Sequence, residues 1–285
     1  MRKYWYQWRR VKSTAFVGMT SLCTLITLVP LFFILYYVTS HGLTSVNLNF
    51  FTHLPKPVGE AGGGMGNAIV GSLILLALAV VVGVPIGVLG GVYLSEYGAN
   101  RLAGNIRFAA DVLLGVPSIV IGMFVWALMV VPMHSFSALA GGVALGIIMV
   151  PIVMRTTEES LKMVPRSLRE ASLALGGAQW QTILKVVLPV GRAGVITGIL
   201  LALARVSGET APLLFTALGN KFWNFNLHTP MASLPVQIYT YAIGPYDDWH
   251  RQAWAGAFVL IVGILAVNLA ARLAAGQVRG GTGHR

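Results

Sequence analysis

Charge is what this sequence has least of. Of 285 residues, 20 are Lys or Arg and 9 are Asp or Glu, so only 10% are charged, where a soluble domain carries about 25%. Hydrophobic residues make up 56% and there are 33 glycines besides, which leaves too few polar side chains to clothe a water-facing surface. An aqueous globule does not fit, and an integral membrane protein is expected. Cysteine is nearly absent as well. Cys23 alone excludes a disulfide framework or a cysteine-based zinc site. His134, His228 and His250 lack metal-ligand spacing, so no metal site is expected. The pattern G-x-x-x-x-G-K-[ST] does not occur, and any ATP used must be bound by another polypeptide. The run Gly62-Gly63-Gly64-Met65-Gly66 has no Lys-Ser/Thr after it. With Pro55 and Pro57 nearby it reads as a flexible hinge or linker.

Two stretches, residues 13–55 and 112–154, run for 43 positions each without a charge. About 20 apolar residues cross a hydrocarbon core of ~30 Å at 1.5 Å per residue. The first stretch therefore supplies one span, and the second supplies two that fold back at Pro132-Met133-His134-Ser135. Together with the other apolar windows they give six spans, near 14–38, 69–94, 109–131, 137–154, 189–218 and 253–272. Fifteen Lys and Arg lie before the first span, in the loops at 95–108 and 155–185, and after Ala271, whereas the alternate loops hold only Lys56, Lys221 and Arg251. The positive-inside rule then places both termini in the cytoplasm. The net charge of +11 is a topology signal and does not call for nucleic acid. The first apolar stretch exceeds a signal-peptide core and lacks a small-residue cleavage site, so it reads as an uncleaved span. The expected organisation is a tail, span and external loop over 1–60, a five-helix core over 61–272 with a long cytoplasmic loop at 155–188, and a cytoplasmic tail over 273–285.

Small residues at spacings of three and four, Gly83, Gly87, Gly90 and Gly91, let neighbouring helices approach closely. Pro117 and Pro151 mark bends whose freed carbonyls need partners. Bent helices around a shared cavity suit a transporter.

The loop before Pro189 is longer than a connector needs. Ser167 stands three residues before Glu170, the spacing of a capping box, and Leu168, Ser172 and Leu175 repeat on one face. Gly176-Gly177 supplies a left-handed end to that helix. Trp180, Ile183, Leu184 and Val187 then give a second amphipathic face before Pro189 begins the next span. Glu170-Ala171-Ser172, three residues, Gly176, nine residues and Val186-Val187-Leu188-Pro189 resemble the E-A-A-x3-G-x9-I-x-L-P signature of binding-protein-dependent ABC importer permeases. Ser172 stands for the second Ala and Val186 for Ile. Leu201 to Ala217, with Gly208-Glu209-Thr210-Ala211-Pro212-Leu213-Leu214-Phe215-Thr216 at its centre, is similar to the corresponding span of phosphate permeases in that family. Met231 to Tyr239, Gly115 to Gly122 and Val92 to Tyr97 are similar to three further segments. The resemblance covers about residues 60–272, and the first span matches only in character.

This resemblance implies an all-α, six-span type I (MetI-like) ABC importer permease in the cell inner membrane, with no catalytic residue and no cofactor of its own. ATP and Mg would be used by a partner ATPase pair docked on the coupling loop through Glu170, Ala171, Ser172, Gly176, Leu188 and Pro189. The other partners implied are a second, homologous permease subunit and a periplasmic or lipid-anchored phosphate-binding protein. Inorganic phosphate would be the substrate and membrane lipid the surroundings. Another oxyanion, or an ion-coupled transporter working alone, is the alternative.

Arg205 and Glu209 are four residues apart, hence expected on one helix face. An Arg at the bilayer centre costs ~2.5–3.5 kcal/mol or more, so such residues face a cavity and a partner. A guanidinium replaces part of a dianion's water shell, which makes Arg205, Glu209 and Thr210 candidates for the substrate path. A structural ion pair locking the fifth span is the other reading. Asp111, one turn after Arg107, is expected to pair with it or reach the interface, and Arg192 to sit at the inner interface. Trp223, Trp249 and Trp254 are expected in the interfacial aromatic belt.

Overall fold

Within hydrocarbon each backbone N–H and C=O needs an internal partner, so apolar segments of this length close their hydrogen bonds as helices. The computed structural model describes residues 2–57, 60 and 62–280, and no strand occurs among them. Residues 281–285 of the expected C-terminal tail lie outside the described residues. Five helices are long and apolar enough to cross a membrane. They lie within α1 (Arg2–Leu43), α3 (Gly66–Glu96), α6 (Ala138–Lys162), α8 (Gln179–Ser207) and α11 (Asp247–Gly280). Where a straight third span near 109–131 was expected, the chain forms a broken pair, α4 (Arg101–Gly115) and α5 (Ser118–Met133), bent by 104°, so the count is five spans, or six with this pair taken as one. The break falls at Val116-Pro117, where proline has no N–H to give and disfavours the helical region for the residue before it.

Two expectations about the spans change. The fourth helix does not end near residue 154 but continues to Lys162. The fifth span begins at Gln179 and its helix stops at Ser207. Pro189 is thus interior to α8. It is accommodated by a π-helical turn, Ile183–Val187, which widens the backbone where the ring would meet the carbonyl of Lys185. The same device precedes Pro132, where Trp126–Val130 is π-helical. Both turns begin six residues before their proline.

The core is the α3–α6 pair. Cβ atoms added at Gly83, Gly87 and Gly91 would stand 2.9, 2.7 and 2.5 Å from the Cβ atoms of Met149, Val153 and Thr157. Contacts advance together along both chains, so the helices run parallel, and α6 answers with Gly142 against Leu78 and Gly146 against Val82. The small-residue reading of this segment therefore holds. α8 runs antiparallel to α6, with Gly191 against Leu161 and Gly198 against Thr156. Leu75, Ala79, Leu145, Met149, Val153, Ala202 and Val206 are buried between these elements.

Between Ser207 and α11 the chain forms two short helices that pack on the spans. α9 (Ala211–Thr216) packs on α5, Pro212 lying against Gly122, and α10 (Leu234–Ala242) packs on α11. The segment between them closes the amino end of α6. The N–H groups of Ser137, Ala138 and Leu139 donate to the carbonyls of Thr216, Thr229 and Leu227 at 2.9, 3.2 and 3.0 Å. Donors that a helix start leaves without partners are thereby satisfied. Asn220 and Asn224 brace the same loop by donating to the carbonyl of Pro230.

The glycine run before α3 is not a free tether. Gly62 and Gly63 take φ of +88° and +89°, and Gly64 lies against the carbonyls of Asn49, Phe50 and His53 on and just after α2 (Leu48–Thr52). Phe50 and Met65 are buried together with Ala68 and Tyr241. α1 is peripheral. Its main neighbour is α11, met through Gly42 on Phe258 and through Tyr37 and His41 on Trp254. Trp249, expected at the membrane interface, is stacked on buried Tyr241 with ring centroids 4.7 Å apart.

Candidate functional site

The loop between α6 and α8 contains one short helix, α7 (Arg166–Ala174). Its start differs from the expected capping box. Pro165 is the N-cap, and no side chain caps the first turn. Ser167 lies inside the helix because the fixed φ of proline already sets the helical entry. The end is as expected, with Gly176 at φ +84° and the N–H of Gly177 bonded to the carbonyl of Ser172 at 3.1 Å. No residue of α7 is buried, and Leu175 is 90% exposed. Glu170, Ala171 and Gly176 are exposed on this knob, while Ser172 turns back to meet Thr182 of α8, Oγ to Oγ1, at 2.8 Å. Leu188 and Pro189 are not part of the knob and sit within α8, beyond the π-helical turn. That turn also splits the expected second amphipathic face. Ile183 and Val187 are buried, whereas Trp180 and Leu184 stay exposed.

Beside the knob lies an ionic layer that sequence reasoning missed. Glu158, only 1% exposed, receives Arg107 Nε at 2.7 Å, Lys162 Nζ at 2.6 Å and Arg155 Nη1 at 3.3 Å. Asp111 does not pair with Arg107. Its carboxylate accepts from Arg155, whose Nη2 reaches both oxygens at 2.7 and 2.8 Å and whose Nε reaches Oδ1 at 3.0 Å, and Arg107 spends its other donors on the carbonyls of Gly98 and Leu94. A carboxylate buried at this depth is costly unless charged donors surround it. The signal available in the sequence was the scarcity of acid. Only 9 acidic residues exist, yet Glu96, Asp111 and Glu158 all fall at ends of apolar runs among basic neighbours.

At the other end of α8 stand Arg205, Glu209 and Thr210. The pairing of Arg205 with Glu209 is present but long, Nε to Oε1 4.0 Å. The two do not share a helix, because α8 ends at Ser207 and Gly208 turns the chain, its N–H bonding the carbonyl of Arg205 at 3.3 Å. Glu209 and Thr210 occupy the break before α9, and the carbonyl of Thr210 opens α9 by accepting the N–H groups of Leu213 and Leu214. Arg205 is 52% exposed and Glu209 17%. About half of the guanidinium is thus left uncovered by its own bundle, and among the described residues Glu209, at the edge of its reach, is the one carboxylate it meets.

A family model described as binding-protein-dependent transport system inner membrane component matches residues 83–280. Among curated relatives, the phosphate transport system permease protein PstA of Yersinia pestis is 45% identical over 93% of this chain and 90% of its own length. The protein of the same description from Haemophilus influenzae is 43% identical over 94% and 95%. A probable phosphate permease of Methanocaldococcus jannaschii is 37% identical over 93% and 94%. Among solved structures, an inward-facing form of the MetNI methionine ABC transporter superposes with a TM-score of 0.56 at 20% identity, covering 75% of this chain and 95% of that one. Multiple apolar helices, the glycine-packed core, the exposed loop helix and these matches agree: the chain belongs to the family of binding-protein-dependent transport system inner-membrane components, the multi-pass permeases of ABC transporters.

Proposed function

We propose that this chain is one of two permease subunits through which an ATP-driven importer carries inorganic phosphate across the inner membrane. The observation that carries the reading is the 45% identity to a phosphate permease over 93% of the chain. Arg205 supports it. A half-exposed guanidinium at the end of a membrane span is what a path shared with a second, homologous permease subunit requires, because each subunit would line one side. Its fixed fork of donors substitutes for part of the water shell of phosphate. Glu209, 4.0 Å away, competes for the same donors, so phosphate is held without being trapped. Thr210 adds a hydroxyl beside them.

Charge orients the chain with both termini and α7 in the cytoplasm. The exposed Glu170, Ala171 and Gly176 dock an ATPase pair, which binds ATP and Mg in place of this subunit, while Ser172, Leu188 and Pro189 hold the knob to its span. A periplasmic or lipid-anchored binding protein delivers phosphate to the opposite end. In this reading residues 1–60 are an adjunct, 61–272 the translocation unit and 273–285 a cytoplasmic tail.

The test is phosphate uptake by vesicles containing this chain, its candidate permease partner, the ATPase and the binding protein. Uptake that requires hydrolysable ATP and is outcompeted by phosphate but not by sulfate or molybdate is expected. Uptake that survives an inactive ATPase and collapses with an ion gradient overturns the proposal.

A further inference from the structure

Arg169 lies on α7 next to Glu170, yet its side chain turns away from the exposed surface of the knob. Its Nη1 donates to the carbonyl of Val164 at 2.6 Å and its Nη2 to the carbonyl of Leu161 at 2.9 Å. These carbonyls lie at and just past the carboxyl end of α6, where backbone acceptors lack intrahelical partners. Nη2 also reaches Glu96 Oε1 at 2.8 Å, and Nε reaches Oε2 at 3.1 Å. Glu96 is the last residue of α3, and its side chain is 8% exposed. One guanidinium therefore joins the loop helix to the ends of both helices of the glycine-packed core. Apart from Ser172 on Thr182, no other side chain of α7 is seen bonded to a neighbouring helix among the described residues. Planar, bidentate donors fix direction as well as distance.

We infer that Arg169, with Glu96, is the positioning pair that turns displacement of the coupling helix into movement of the α3–α6 core. The inference rests on α7 being the ATPase-docking element. When α7 is pushed or pulled, the Arg169 guanidinium carries α3 through its carboxylate and α6 through its carbonyls, and the interlocked glycines keep these two helices together. Without it the knob can still dock, but it moves on a slack loop.

The two legs can be separated. Glu96→Gln removes the charge on the α3 side and leaves both carbonyl contacts to α6 in place. Arg169→Lys keeps the charge but reaches one leg at a time, and Arg169→Ala removes both. The fully assembled importer in vesicles is measured for ATP hydrolysis and phosphate uptake together. The expected result is that ATP hydrolysed per phosphate imported rises several-fold in Glu96→Gln and further in Arg169→Ala, with Arg169→Lys between, while the ATPase co-purifies in wild-type amount. A wild-type ratio in an assembled Glu96→Gln complex overturns the inference. So does failure of both Glu96→Gln and Arg169→Ala to assemble, which would make the pair purely structural. If wild-type chain itself does not retain the ATPase, it is the docking reading of α7 that has failed.

Discussion

At Arg205 the separation of 4.0 Å from Glu209 limits what the pair adds to stability. A half-exposed ion pair of this kind is worth ~0–1 kcal/mol. Arg205→Gln should therefore leave the melting temperature of the purified complex nearly unchanged, while phosphate uptake falls by about tenfold or more, since an amide lacks both the charge and the donor fork. A matched fall in both quantities would return Arg205 to a structural role. Glu158 behaves in the opposite way. It is buried and bonded to Arg107, Lys162 and Arg155, and losing these charge-assisted bonds, with the cations left partly open to water, costs about 1–3 kcal/mol. Glu158→Ala is expected to lower thermal stability markedly and to reduce assembled complex, and denaturation followed by fluorescence-detected chromatography measures both. The sequence made Arg205 and Glu209 visible because charges are rare within apolar runs. It hid the layer around Glu158 because such carboxylates look like ordinary residues of a basic loop until α4 and α6 are folded side by side.

Among the elements, the α3–α6 contact is governed by atoms that are missing. A leucine at Gly87 would drive its Cβ to 2.7 Å from that of Val153, and overpacking of this type costs ~1–3 kcal/mol. Gly87→Leu should separate the two helices and depress both melting temperature and uptake, whereas a leucine at Gly104, where nothing lies within 4 Å, should do neither. The π-helical turn before Pro189 is a second such element. Pro189→Ala restores the N–H that Pro lacks and removes the clash with Lys185, so Ile183–Val187 can tighten to a regular helix. That shift rotates Gln179–Thr182 relative to the rest of α8 and weakens the contact of Thr182 with Ser172. Reduced uptake with normal membrane insertion is the expected outcome. Helix existence was legible here from apolar length, and the position of α7 from its glycine end. The bounds of α8 were not, because a proline that ordinarily starts a helix is here absorbed in its interior, a fact that only backbone widening reveals.

Across the whole molecule, the asymmetry of Lys and Arg makes a directional prediction. With Cys23 replaced by Ala, a single cysteine at Leu175 should react with a membrane-impermeant maleimide only from the cytoplasmic face. One at Phe225, exposed in the loop before α10, should react only from the outside. The reverse labelling would overturn the orientation. That the chain holds several spans, five or six by helix length and apolarity, was legible because hydrocarbon thickness sets a length. The fate of residues 208–242 was not, since their apolar content resembles a span while Asn220 and Asn224, with the backbone bonds to the start of α6, hold them as a folded-back cap.

That cap places a constraint on how the protein is made. The amino end of α6 has its N–H groups closed by carbonyls of Leu227, Thr229 and Thr216, which are synthesised roughly 80–90 residues later, a distance read from the numbering. Until that stretch has left the ribosome, the start of α6 carries donors that hydrocarbon cannot satisfy. A chain shortened before Leu227 would therefore lose all but the Thr216 bond of these three at this helix start, and water would have to take the place of the missing carbonyls.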